Sequence, residues 1–370
     1  MERANHQRLI ERLRRGEGMD APPFEIPAER YQSTVELARE RPLFALPRIL
    51  TASSAIPAGA VMPYDEPGLS AILARDTDGV LRAFTNACRH RATRLVDAPC
   101  AAKALVCGYH GWTYDLAGTL IHAPHAATFG TACEHRDLRA LPIAERHGLV
   151  WLGGDPTEHL DALDADLAAL GFADHVVYRA AAVPRRCNWK LVMEAFLDGY
   201  HIRTLHRDSI YRFFLDAQSM AEPVGPHVRA ISGRRALREA PADLATTDLR
   251  LLATPSYLVF PATTIIAHPD FVSIISLTPL APNRTEWRHL MLVPTARAAE
   301  TEHWDKSWDL IESTVFQRED LWVCEQIQRG LEAGTAEPLL FGALEAPIAW
   351  FHAALAAAST SANPQSGAGV

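Results

Sequence analysis

Cys88-Arg-His90 and Cys107-Gly-Tyr-His110, sixteen residues apart, give two Cys/His pairs that two adjacent loops could close on one metal centre. The order is Cys, His, Cys, His, whereas common zinc fingers place two Cys before two His. A [2Fe–2S] cluster with mixed ligands needs two thiolates on one iron and two imidazoles on the other. One of each from either loop produces the alternating order directly. Neutral imidazoles make such a cluster easier to reduce than an all-thiolate one. Gly108 and Gly111 flank the second pair, where a loop must approach inorganic sulfur closely and offer backbone N–H groups. The competing reading is a zinc-stabilised binding module, which would be colourless.

Cys-Arg-His-Arg (88–91) and Cys-Gly-Tyr-His-Gly-Trp (107–112), followed by Tyr114-Asp-Leu-Ala-Gly118 and Pro124, resemble the Rieske domain of the Rieske non-haem iron oxygenases. The motif alone does not separate an oxygenase from a small Rieske ferredoxin. The rest of the chain decides that.

A second constellation lies within nineteen residues: Asn188-Trp-Lys190, Glu194, Asp198, Tyr200, His201 and His206. Two His with a carboxylate are the makings of a facial triad, which holds Fe(II) on one face and leaves positions for O2 and substrate. An offset of five puts His201 and His206 ~140° apart on an ideal helix. A π-bulge or a helix end between them would bring both imidazoles to one iron. Asp198, three residues before His201, shares its face. The stretch resembles the same family's Asn-Trp-Lys, Glu-Asn, Asp-x-Tyr-His and His pattern, departing at Ala195, where the family usually has Asn. For the carboxylate ligand, periodicity does not choose between Glu319 and Asp320 in the long C-terminal helix over 301–333; the resemblance implies Asp320. His125, His147 and His175 read as ordinary core or surface histidines. Cys100, Cys133, Cys187 and Cys324 show no partner pattern and read as inert buried thiols.

Composition bounds the alternatives. The 370 residues are 48% hydrophobic and 22% charged, ordinary for a globular chain and excluding disordered or collagen-like classes. Lys and Arg number 36 against 44 Asp and Glu, a net charge of −8 that argues against nucleic-acid binding. Six Cys are too few for a disulfide scaffold and suggest a reducing compartment. Met1 to Arg15 is charged and lacks the apolar core of a signal peptide, and no run approaches a membrane span. A cytoplasmic protein is expected. Gly16-Glu-Gly18 lacks the preceding strand that a nucleotide fingerprint requires.

Local patterning predicts an N-terminal helix with Leu9, Ile10 and Leu13 on one face. Short apolar runs from Leu43 to Trp151 predict a compact antiparallel β region. A linking helix is expected over 155–175, a helix over Asn188 to His206, strands over 227–300 and one long helix over 301–333. The expected division is 1–42, an N-terminal helical segment packing on the catalytic domain; 43–155, the Rieske domain; 156–358, the catalytic iron domain; and 359–370, a disordered tail.

The resemblance covers roughly residues 40–335. It implies an α+β fold, with a Rieske antiparallel β domain and a larger domain whose antiparallel sheet wraps a long helix. It implies one [2Fe–2S] cluster on Cys88, His90, Cys107 and His110, and one Fe(II) on His201, His206 and Asp320, with O2 as cosubstrate. It gives Asp198 the task of joining His110 of one subunit to His201 of the next, hence a head-to-tail ring, most simply a homotrimer. No Rossmann or flavin motif is visible, so a separate NAD(P)H-dependent reductase, with or without a ferredoxin, is expected to bring electrons. The activity implied is that of a terminal oxygenase component hydroxylating an aromatic or other small organic substrate. Alternatives are an N- or O-demethylase or quaternary-amine monooxygenase of the same family, and a pure Rieske electron carrier. Leu205, Ile210, Tyr211, Phe213 and Phe214 could line an apolar pocket.

Overall fold

Alternation over 284–291 buries Thr285, Trp287, His289 and Met291 and leaves the residues between them partly exposed, the mark of a strand stretch with one covered face. Six strands follow one another in hairpin fashion from Phe214–Val224 to Arg284–Pro294. A seventh, His175–Arg185, pairs with Arg284–Pro294 at one edge, giving a seven-stranded antiparallel sheet. The computed structural model describes residues 1–19, 21–334 and 337–361. The chain divides into two compact units, one formed by Met1–Leu46 and Thr157–Val370, the other by Pro47–Pro156.

In the larger unit the sheet supports a core that includes Val228, Leu258, Ile275, Trp287 and Met291. Against them pack Trp189 and Met193, then Ile311, Val315, Phe316, Leu321 and finally Phe351. The N-terminal helix, Arg3–Arg14, buries His6, Leu9, Ile10 and Leu13 in this unit, with His6 Nε2 3.1 Å from the Ala253 carbonyl oxygen. The smaller unit consists of a five-stranded sheet and two three-stranded sheets, all antiparallel where they pair. Among the described residues, no helix is long and apolar enough to cross a membrane.

Several expected helices differ from the reading of the sequence. Over 155–175 there are only short pieces, Thr157–Leu160, a 3₁₀ turn at Asp161–Leu163, Asp164–Ala168 and a second 3₁₀ turn at Phe172–Asp174. Asn188 to His206 is two helices, Trp189–Leu197 and the single turn Ile202–Leu205, broken at Asp198. The expected long helix is continuous, but its middle twelve residues, Asp309–Asp320, wind as a π-helix between Thr301–Trp308 and Leu321–Glu332. A last helix runs over Ala346–Ser361, three residues into the expected tail; residues 362–370 of that tail lie outside the described residues.

The Asn188-Trp-Lys190 motif explains how the site helix is anchored. Asn188 caps it, its Oδ1 accepting from the Lys190 N–H at 2.9 Å, while its Nδ2 donates to the Tyr31 and Pro282 carbonyls at 3.0 and 2.7 Å. Trp189 Nε1 and Lys190 Nζ both donate to Glu40, at 2.9 and 2.6 Å. Lys190 and Glu40 are 1% and 3% exposed, so neither charge has water to fall back on. Removing one partner of a buried pair leaves the other charge uncompensated, and Lys190→Met should cost about 3–5 kcal/mol. The check is the denaturant midpoint; an unchanged midpoint would mean the pair contributes nothing to the fold.

Candidate metal centres

The two Cys/His loops of the smaller unit close by the same pattern. Cys88 N–H donates to the Thr93 carbonyl at 2.8 Å and Ala92 N–H to the Cys88 carbonyl at 2.9 Å. Cys107 N–H donates to the Trp112 carbonyl at 2.8 Å and Gly111 N–H to the Cys107 carbonyl at 2.9 Å. The fourth residue after each Cys, Ala92 or Gly111, is left-handed, with φ 59° and 73°. Matching loops are what a cluster with one thiolate and one imidazole from each side requires. Both thiols are 3% exposed, whereas His90 is half-buried and His110 exposed, so the sulfur side lies inward and the imidazole side outward.

Polar contacts on the sulfur side favour thiolate. Burial alone would raise the pKa of Cys107, but the N–H groups of Tyr109 and His110 outweigh it and pull the pKa below the ordinary value. The Tyr114 hydroxyl lies 3.3 Å from Cys88 Sγ and accepts from the Arg89 N–H at 2.9 Å. The His90 and His110 rings have centroids 4.7 Å apart, and His90 stacks on Trp112 at 4.9 Å. Two thiols and two neighbouring imidazoles fit a mixed-ligand [2Fe–2S] group.

In the larger unit, His201 and His206 flank the one-turn helix Ile202–Leu205. His201 opens it, its carbonyl accepting from Thr204 and Leu205, and His206 leaves it at φ −96°, ψ 20°. This exit removes the ~140° mismatch of a continuous helix. The Nε2 atoms stand 3.1 Å apart, and Asp320 Oδ1 is 3.1 Å from that of His206 and 3.6 Å from that of His201. Asp320 Oδ1 is buried and, beyond these two imidazole nitrogens, has no hydrogen-bond partner among the described residues. Three donor atoms converging on a point with an orphaned carboxylate oxygen fit a divalent ion of the facial-triad kind.

The far side of each ring is held as well. Asp198 Oδ2 lies 3.2 Å from His201 Nδ1, and Glu319 Oε2 lies 2.7 Å from His206 Nδ1. Ser209 donates to the same Glu319 oxygen at 2.7 Å. Adjacent carboxylates therefore do different work: Asp320 faces the Nε2 atoms and Glu319 orients an imidazole from behind. Burial alone would lower the pKa of His206, but Asp320 and Glu319 outweigh it and raise it. Glu194 is elsewhere, taking a hydrogen bond from Tyr31 at 2.9 Å and standing 2.7 Å from His352 Nε2.

The three donor atoms open on a cavity of about 260 Å³ whose wall includes Ala195, Ile210, Phe213 and Phe214. Leu205 and Tyr211, also expected there, do not line it; Phe196, Phe271 and Phe316 do. Of the four remaining cysteines, Cys187 and Cys324 are buried as expected, and burial pushes the thiol of Cys187 up to about 12. Cys100 is exposed and Cys133 half-buried, contrary to expectation, because Cys100 lies on a two-residue edge strand and Cys133 ends the 3₁₀ segment Ala126–Cys133, which buries none of its residues.

Residues 172–361 match the family described as ring hydroxylating alpha subunit (catalytic domain), and residues 49–142 match the Rieske [2Fe-2S] domain. The chain belongs to the ring-hydroxylating alpha-subunit family. It is 32% identical over 177 residues to the chlorobenzene dioxygenase alpha subunit of Cupriavidus sp. (strain PS12), covering 42% of this chain and 38% of that one. It is 26% identical over 303 residues to the chloroplastic choline monooxygenase of Arabidopsis thaliana, covering 77% of this chain and 70% of that one. The fold is shared with the quaternary ammonium Rieske monooxygenase CntA, with a TM-score of 0.78, 20% identity, and 90% and 95% of the two chains covered. It is shared too with naphthalene 1,2-dioxygenase from Rhodococcus sp., with a TM-score of 0.71, 18% identity, and 96% and 98% covered.

These positions separate the two acids by experiment. Asp320→Ala should abolish Fe(II) binding at this site, whereas Glu319→Ala should weaken it about 10–100-fold. Iron titration of cluster-loaded protein reads both; equal loss in the two variants would contradict the division of labour.

Proposed function

We propose that the chain is the terminal oxygenase component of a cytoplasmic Rieske-type system. It uses O2 and electrons from a separate NAD(P)H-dependent reductase, directly or through a ferredoxin, to hydroxylate a small organic substrate. The observation that carries this reading is the convergence of His201, His206 and Asp320 on the wall of an apolar cavity, in a chain that also has a Rieske domain. An electron carrier has no use for such a cavity.

Cys88, His90, Cys107 and His110 would hold the cluster, and His201, His206 and Asp320 the Fe(II). When bound, the cluster supplies electrons singly and the Fe(II), ligated on one face, leaves positions for O2 and substrate. Asp198 accepts from His201 Nδ1–H and so keeps Nε2 turned toward the site; Glu319 does the same for His206. Phe196, Phe213, Phe214, Phe271 and Phe316 surround the cavity with hydrocarbon and limit the water that reaches it.

Asp198 has a second task in this reading. Its side chain keeps 16% of its surface exposed, and His110 is exposed on the smaller unit. Asp198 of one subunit joins His110 of a neighbour to its own His201, a bridge that requires the subunits to form a head-to-tail ring, most simply a homotrimer. Oxidation of a methyl group beside a quaternary nitrogen is the second reading. It is supported by the likeness to choline monooxygenase.

Iron and sulfide analysis should give about three irons and two sulfides per chain, against about two and two for a carrier. Asp198→Asn keeps the size of the side chain but removes its charge. It should retain cluster, iron and oligomer, yet slow substrate-triggered oxidation of the reduced cluster by orders of magnitude in rapid mixing. Oxidation at the wild-type rate would leave Asp198 as a helix-end carboxylate with no part in electron transfer.

A further inference from the structure

Arg234, the last residue of the strand His227–Arg234, lines the same cavity as His201, His206 and Asp320. It is the only Arg or Lys among the described residues of that lining. Its Nη1 donates to Thr254 Oγ1 at 3.2 Å, and its guanidinium lies over the rings of Phe213 and Phe214, 5.6 and 5.3 Å from their centroids. Among the described residues no carboxylate forms an ion pair with it. Asp270, also in the lining, is engaged by His303 Nε2 at 2.6 Å and by Arg297 Nη1 at 3.8 Å. Asp198 and Asp320 belong to the imidazole side. The other basic ring of this wall, His268, is half-buried, and its desolvation pushes its pKa well below the ordinary value.

A cation drawn partly out of water without a direct ion pair is costly: burial lowers the pKa of Arg234, and the charge of Asp270, acting without a direct pair, offsets this only in part. Such a cation is a ready partner for an anion brought by a ligand. The guanidinium fork suits a planar carboxylate, which takes two parallel N–H bonds. Ser232 stands opposite Thr254 in the sheet register and adds a hydroxyl to the same wall. The cavity, about 260 Å³, is slightly below the ~300–1,000 Å³ of drug-sized ligand sites. The Phe213 and Phe214 faces that would attract a quaternary ammonium already carry the Arg234 cation.

We propose that Arg234 anchors a carboxylate on the substrate, so that the substrate class is small aromatic or apolar carboxylates whose uncharged end meets the metal site. This rests on the oxygenase reading above and narrows it. Uncharged arenes lack the anion, and a simple quaternary ammonium would be set beside a like charge.

The test is calorimetric titration of the full chain, loaded with cluster and iron under anaerobic conditions. The probes are benzoate, phenylacetate, 3-phenylpropanoate and cyclohexanecarboxylate, each paired with its primary amide, together with phenyltrimethylammonium and choline. At least one carboxylate should bind roughly 10–100-fold tighter than its amide, and the cations should bind weakest. Arg234→Gln should erase that preference, and Arg234→Lys should keep part of it. Absence of any carboxylate preference in the wild type, or its persistence in Arg234→Gln, overturns the proposal. The wild-type comparison needs no variant to fold. Iron and sulfide analysis of the same samples separates the two failures. If both centres are present and no anion preference appears, only the anchor is wrong. Wild type without mononuclear iron overturns the oxygenase reading and the anchor with it.

Discussion

Two imidazole nitrogens 3.1 Å apart, with a buried carboxylate oxygen 3.1 and 3.6 Å from them, are the constraint around which the larger unit is arranged. Three electron-rich atoms do not gather in a half-dry pocket unless a proton or a cation lies among them. The backs of both rings are already occupied, Nδ1 of His201 by Asp198 and Nδ1 of His206 by Glu319. Each Nδ1–H that donates outward leaves its Nε2 with a lone pair directed at the common point. A divalent ion satisfies all three donors at once, which a single shared proton does not.

Meeting that constraint requires irregular backbone in two places. The site helix ends at Leu197, turns at Asp198 and Gly199, and restarts for a single turn. A Cβ at position 199 would collide with the Ser219 side chain, so the chain turns there on a glycine. On the opposite side, the π-helical winding of Asp309–Asp320 buries Ile311, Glu312, Val315, Phe316 and Asp320. The wide turn brings Asp320 onto the buried face while its neighbour Glu319 reaches the outer side of His206. π-Segments are often found at functional sites, where the extra residue re-aims a side chain. The regular parts hold these irregular ones in place: the Asn188 cap, the Lys190–Glu40 pair and the sheet behind them.

Much of this was legible in the residues. The Cys/His spacing pointed to a mixed-ligand cluster because the chemistry of its ligands admits few orders. The alternation within 227–300 pointed to strands because a sheet face that is covered on one side shows as every second residue buried, as over 284–291. The break between Leu197 and Ile202 was left open, since apolar spacing reports burial and not whether the hydrogen-bond ladder is continuous. The choice between Glu319 and Asp320 was hidden for a related reason. Helical periodicity assumes three to four residues per turn, and the π-winding changes which neighbours share a face. Arg234 carries no local signal at all. It reads as an ordinary charge at a strand end, and its place in the cavity depends on Phe213, Phe214 and Thr254, which the sheet brings to it from elsewhere in the chain.

The central claim is that one chain holds two distinct iron centres, a cluster between the Cys/His loops and a single ion among His201, His206 and Asp320. Anomalous diffraction at the iron edge, from crystals of protein loaded anaerobically, tests it most directly. A pair of iron peaks is expected between Cys88, His90, Cys107 and His110, and one isolated peak in bonding contact with His201 Nε2, His206 Nε2 and Asp320. Iron confined to the Cys/His loops, with the second point empty at full cluster occupancy, would contradict it.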